Sequence, residues 1–156
     1  MKLLISTLAT LTISGVAATA GPGAADPLAT VTALQDLGFR AQYEPSESNN
    51  RPRIRSSTAG INFSIWYYGC DETMTNCDTL LFSAGFDFQD GSTLAVVNTW
   101  NDREVLGRAF LDDENDPLID LALPEVQEMS TDELESILEL WEDIIIEYTE
   151  EIGFNR

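Results

Sequence analysis

The sequence predicts an α+β domain: an antiparallel sheet of about five to six strands, with N-terminal, short middle and long C-terminal helices packed on it. Three observations predict it. In residues 61–68, Ile61, Phe63, Ile65 and Tyr67 alternate with Asn62, Ser64, Trp66 and Tyr68; residues 80–88 alternate likewise, with Leu80, Phe82, Ala84, Phe86 and Phe88 in one phase. Period two in residues that suit a pleated backbone means half-buried strands. Between these runs the only cysteines, Cys70 and Cys77, stand at the ends of a short loop, so the pair reads as a hairpin clamped at its mouth. After residue 130 the period changes: Leu134, Ile137, Leu138, Trp141, Ile144, Ile145, Tyr148 and Ile152 form one helical stripe.

The remaining elements follow in order. Asp26-Pro27 opens the first helix, because aspartate accepts from free N–H groups at an N-cap and proline's fixed φ suits the first turn. Leu28, Val31, Ala33, Leu34 and Leu37 continue at helical spacing, and Gly38 stops it. Residues 21–25 are small and are expected to be a mobile leader, with order beginning near residue 26 and ending near 154. Residues 39–43 alternate as a first strand, and 44–50 form a polar turn. Arg51, Arg53 and Arg55 then share one side of a strand, with Ile54 on the other and Pro52 marking an edge or a strand start. These arginines are expected to pair with acids on a neighbouring helix; the functional reading is an anion or carboxylate cradle. Ser92 is expected to cap a short middle helix or helical turn, residues 92–103, with Leu94, Val97 and Asn101 at helical intervals; Val96-Val97 equally suits a strand. Residues 105–111 and 118–123 read as two strands joined by an acidic turn. Ser130 and Glu133 form a capping box for the last helix, whose other side carries Asp132, Glu135, Glu139, Glu142, Asp143, Glu147, Glu150 and Glu151.

Residues 1–20 have the layout of a signal peptide: basic Met1-Lys2, an apolar run over 3–16, and the small-x-small site Ala18-Thr19-Ala20. Cleavage is expected after Ala20, leaving 21–156 as a single domain in the periplasm or secreted. The apolar run falls short of the roughly 20 residues a membrane span needs, so no membrane association is expected after cleavage. An oxidising compartment favours a Cys70–Cys77 disulfide. Closing so short a loop contributes about 2.5 kcal/mol on the chain-entropy model. A zinc site would lack any histidine and a second cysteine pair.

Eight basic residues stand against 27 acidic ones, a net charge of −19. The one lysine, Lys2, leaves with the leader, so the exported chain is more acidic still. Nucleic acid and anionic membranes both require a basic footprint and are excluded as expected partners. A solvated surface, a saline habitat and a basic partner all fit the charge. Without histidine, Ser-His and Cys-His nucleophile arrangements are absent, as are G-x-S-x-G, H-E-x-x-H and phosphate-cradling glycine loops. No catalysis and no cofactor are expected. The acidic turn around Asp112, Asp113 and Asp116 invites a Ca²⁺ reading. As an EF-hand loop it fails, because the sixth position is Pro117 and the twelfth Leu123. A plain turn is expected; Ca²⁺ binding there, or a carboxylate-dependent hydrolase, are the alternatives.

Several pieces occur in a familiar order: Trp66-Tyr67-Tyr68-Gly69-Cys70, then Cys77, then Leu81-Phe82-Ser83-Ala84-Gly85-Phe86, Asn98-Thr99-Trp100-Asn101 and Leu106-Gly107-Arg108-Ala109-Phe110-Leu111-Asp112. Together they resemble the YbjN-domain family of bacterial sensory transduction regulators, over residues 28–154. The resemblance implies a fold similar to type III secretion chaperones and a regulatory or chaperone-like role through a protein partner, without catalysis. A homodimer is within that implication. Trp100, Asn101 and Arg108 are candidates for a shared interaction patch, with Arg51, Arg53 and Arg55. The plainer reading is that Trp100 plugs the core and Asn101 with Arg108 fixes a turn.

Overall fold

The computed structural model describes residues 21–154; the expected signal peptide, 1–20, lies outside the described residues. The order is α1 (Pro27–Asp36), β1 (Gln42–Tyr43), β2 (Arg53–Thr58), β3 (Ile61–Tyr68), β4 (Thr79–Gly85), α2 (Leu94–Arg103), β5 (Arg108–Leu111), β6 (Pro117–Leu123) and α3 (Thr131–Glu151). The strands form one sheet in the order β1-β2-β3-β4-β6-β5, every neighbouring pair antiparallel. Consecutive strands pair through hairpins except between β4 and β5, where α2 crosses to the far edge and β6 returns to fill the gap. The β2–β3 hairpin closes on two residues, Ala59 and Gly60, both with positive φ (46° and 76°). That is the mirror-image turn whose twist matches paired strands.

Strand alternation decides which face becomes the core. Ile54, Phe63, Ile65, Tyr67, Leu80, Phe82, Ala84, Ile119 and Leu121 point to one side and are buried there. The α3 stripe meets them: Trp141 packs edge-on to Phe63 with ring centroids 5.9 Å apart and lies 5.8 Å from Phe82. Leu134, Leu138, Ile144, Ile145 and Tyr148 complete the buried stripe. Each such side chain contributes roughly 1.5–3 kcal/mol by leaving water. The capping box forms: Ser130 Oγ accepts from the Glu133 N–H at 3.2 Å, and Glu133 Oε2 accepts from the Ser130 N–H at 2.7 Å. At α1, Asp26 Oδ1 accepts from the Leu28 and Ala29 N–H groups, as its sequence predicts.

Five expectations change. Residues 21–25 are held, not mobile: Ala24 is buried, its N–H donates to Val126 O at 2.8 Å, and Met129 N–H donates to Pro22 O at 2.8 Å. A Cβ on Gly23 would collide with the Gln127 carbonyl, so glycine permits this close approach. In α1, Thr30 faces inward while Leu28 is 61% exposed, because the Thr30 hydroxyl both donates to and accepts from Gly23 of the strapped leader. Thr93, not Ser92, occupies the N-cap of α2: its carbonyl accepts from the Val96 and Val97 N–H groups, and its side chain makes no capping bond. The fifth strand begins at Arg108, not at residue 105. Val105 is 97% exposed, and Gly107 sits at φ 83°, where a Cβ would press on Ile119 and Ile144. Likewise the first strand shrinks to Gln42–Tyr43.

Candidate interaction face

The alternate positions of the same strands face away from the helices. Registration sets Gln42, Arg55, Ser64, Ser83, Asp120 and Arg108 in one row across all six strands. Arg53, Trp66, Leu81 and Ala122 form the next row. Beyond it, Arg51 lies over Tyr68. Thus the three arginines predicted to share a side do so. They do not pair with acids on a helix, because every helix lies across the sheet. Instead Arg53 and Arg55 share one carboxylate, Glu44, at 3.5 and 3.4 Å.

Aromatic rings order these arginines. The Arg51 guanidinium carbon sits 4.1 Å from the Tyr68 ring centroid, and Arg53 sits 4.8 Å from that of Trp66. At the opposite edge Arg108 sits 4.7 Å from Phe110 and donates to Asp120 Oδ2 at 2.8 Å. Stacks of this kind contribute about 0.5–1 kcal/mol where exposed and up to about 2 kcal/mol where desolvated, and the Arg53–Trp66 stack is half-buried. Asp120 is only 5% exposed, and its Oδ1 has no hydrogen-bond partner among the described residues. Arg40 joins from the segment before β1, donating to Ser57 Oγ at 3.3 Å. Arg40, Gln42, Arg55 and Asn62 line an open groove of about 400 Å³. Arg40, Gln42 and the stacking aromatics were not singled out from sequence. The legible signal was Trp66 and Tyr68 standing in the polar phase of β3.

Trp100, Asn101 and Arg108 are not brought onto one exposed patch. Trp100 is buried against Tyr148, ring centroids 5.0 Å apart, and its indole N–H donates to Gly107 O at 2.7 Å. Asn101 reads the β5 backbone as a strand would: its Nδ2 donates to Ala109 O, and its Oδ1 accepts from the Ala109 N–H, both at 2.9 Å. Arg108 points the other way, to the open face. Asn101 therefore fixes β5 through Ala109 and not through Arg108.

Cys70 and Cys77 are joined, S–S 2.08 Å, at the mouth of the β3–β4 hairpin. Asp71 organises the loop inside. Its Oδ1 accepts from the Thr73 and Thr75 N–H groups and the Thr73 hydroxyl, and its Oδ2 from the Thr75 hydroxyl and Asn76 Nδ2. These donors, the Thr73 hydroxyl first, hold the carboxyl well below the usual carboxylate range. The acidic turn is spent in the same way: Asp112 Oδ1 accepts from the Glu114 and Asp116 N–H groups, and Asp116 Oδ1 from the Phe88 N–H. Among the described residues no three acidic or cysteine side chains converge as a metal site requires. The α3 carboxylates are spread along its outer side, where Arg103 pairs with Glu151 at 2.9 Å.

Comparison with known proteins adds a family. A search of curated proteins and a search of solved structures each returned no match. A family model described as YbjN, putative bacterial sensory transduction regulator, matches residues 31–154, the span that includes all six strands, α2, α3 and most of α1. On that match, covering well over half its length, the chain belongs to the YbjN family.

Proposed function

We propose that the protein is an exported, non-enzymatic regulatory or chaperone-like module that works by binding another protein. The observation that carries the reading is the sheet face itself: six strands wide, free of the three helices, and dressed with stacked arginines and aromatics. Arginine and large aromatics are the residues that dominate protein recognition. The family description supports a regulatory role. The leader-like residues 1–20 and the joined cysteines support export.

A photo-crosslinking residue in place of Ser64, at the middle of the face, tests the binding site in an exporting bacterial host. A discrete adduct with another protein is expected from Ser64 and not from Glu139 on α3. Adducts from Glu139 with none from Ser64 would contradict it. Mass spectrometry of the exported chain should find residue 21 first and both sulfurs bonded. An intact leader or free thiols would remove the export reading.

A further inference from the structure

We infer that the open sheet face takes an extended, acidic segment of a partner protein, with carboxylates seated on Arg51, Arg53 and Arg55. The inference rests on the protein-binding reading and names the chemistry of the partner. Five of the seven arginines, Arg40, Arg51, Arg53, Arg55 and Arg108, are gathered here. Among the described residues, two carboxylates pair with arginines on this face, Glu44 and Asp120, while Asp71, Glu72, Asp87 and Asp112 lie in loops past the strand ends. The face therefore carries an excess of positive charge in a chain whose net charge is −19. Arg40 and Arg51 have no ion pair among the described residues, and Glu44 serves two guanidinium groups at 3.4 Å or more.

Geometry narrows the ligand. Arg51, Arg53 and Arg55 recur every second residue, about 6.6 Å apart along an extended chain. A second extended chain with acids at alternate positions has the same repeat. Stacking on Tyr68 and Trp66 occupies the flat side of a guanidinium and leaves its N–H edge for carboxylate oxygens. A second copy of this chain is the weaker occupant. Its acidic α3 laid on this face makes a head-to-tail contact, not a two-fold one, because α3 lies on the opposite side of the sheet, and it brings two strongly negative bodies together. A long polyanion meets the same net repulsion at higher charge density.

The test is fluorescence anisotropy with the disulfide-bonded protein and a labelled peptide of alternating glutamate and serine. Binding that weakens with salt, and is absent for the glutamine-serine peptide, is expected. Arg53→Gln with Arg55→Gln should weaken it about tenfold or more, whereas Glu139→Gln with Glu147→Gln on α3 should not weaken it. Equal binding of both peptides, or no effect of the arginine changes in a protein that melts normally, overturns the inference. So does tighter binding of heparin or a single-stranded oligonucleotide, or self-association that the arginine changes abolish. If the peptide fails while the Ser64 adduct forms, the partner chemistry alone is wrong; loss of both removes the protein-binding reading too.

Discussion

Strand β3 carries aromatics on both sides, and the two sets have different surroundings. Phe63 stacks at 6.0 Å on Phe82 and meets Trp141 from α3, all three rings buried. Trp66 and Tyr68, one residue out of phase, lie instead beneath Arg53 and Arg51. The first set gains from leaving water and from ring geometry, the second from holding a charge in place. An aromatic residue in a strand is therefore a core residue or a platform for a surface guanidinium according to its phase, and only the sheet's covering decides which.

The largest test of this contrast is Trp141→Ala, which should cost about 3–5 kcal/mol in denaturant unfolding. Trp66→Ala should cost less, about 1–2 kcal/mol, since it loses one half-buried cation–π contact and only part of a ring's burial. Equal costs would mean that the arginine face is a second core. Next, replacing Cys70 and Cys77 together by serine should cost about 2.5 kcal/mol, read as a lower unfolding midpoint. A smaller loss would mean that Asp71 alone holds the loop.

Asn101→Ala should cost about 1–2 kcal/mol, because it strips both hydrogen bonds from the Ala109 backbone on edge strand β5. Hydrogen exchange at Ala109 should rise first, loosening the Arg108 side of the open face while Arg53 and Trp66 stay put. Uniform acceleration over the sheet would contradict so local a role. The smallest effect concerns acid. Because the native Asp71 carboxyl is held below its ordinary value, its hydrogen bonds stabilise the loop above about pH 4 and weaken progressively below it. The Thr75 amide resonance should begin to move only well below pH 4. A midpoint near the ordinary value of about 4 would show that the fan of donors is not formed in solution.

Much of the covered side was legible in the sequence. The capping box at Ser130, the cap at Asp26 and the α3 stripe are local signals, and the β3 and β4 alternation gave the clamped hairpin. Where sequence reading failed, a distant partner intervened. Gly23 and Ala24 look like leader until the loop at 126–129 supplies their hydrogen bonds. Val105 and Leu106 suit a strand, yet Gly107 and the Trp100–Gly107 bond delay β5 to Arg108. On the open face, spacing alone put Arg51, Arg53 and Arg55 together. The β4-β6-β5 order, which brings Arg108 into their sheet face, has no local signature. The helix acids expected to pair with them lie on the opposite side of the sheet.

The three tryptophans report on both sides at once. Trp66 lies on the open face, and Trp100 and Trp141 are buried in the core. Titrating the alternating glutamate-serine peptide into isotope-labelled protein, with the three indole N–H resonances followed by NMR, shows which side of the sheet the peptide meets. The Trp66 resonance should move in proportion to binding while those of Trp100 and Trp141 stay in place. A still Trp66 resonance beside shifts along α3 would contradict it.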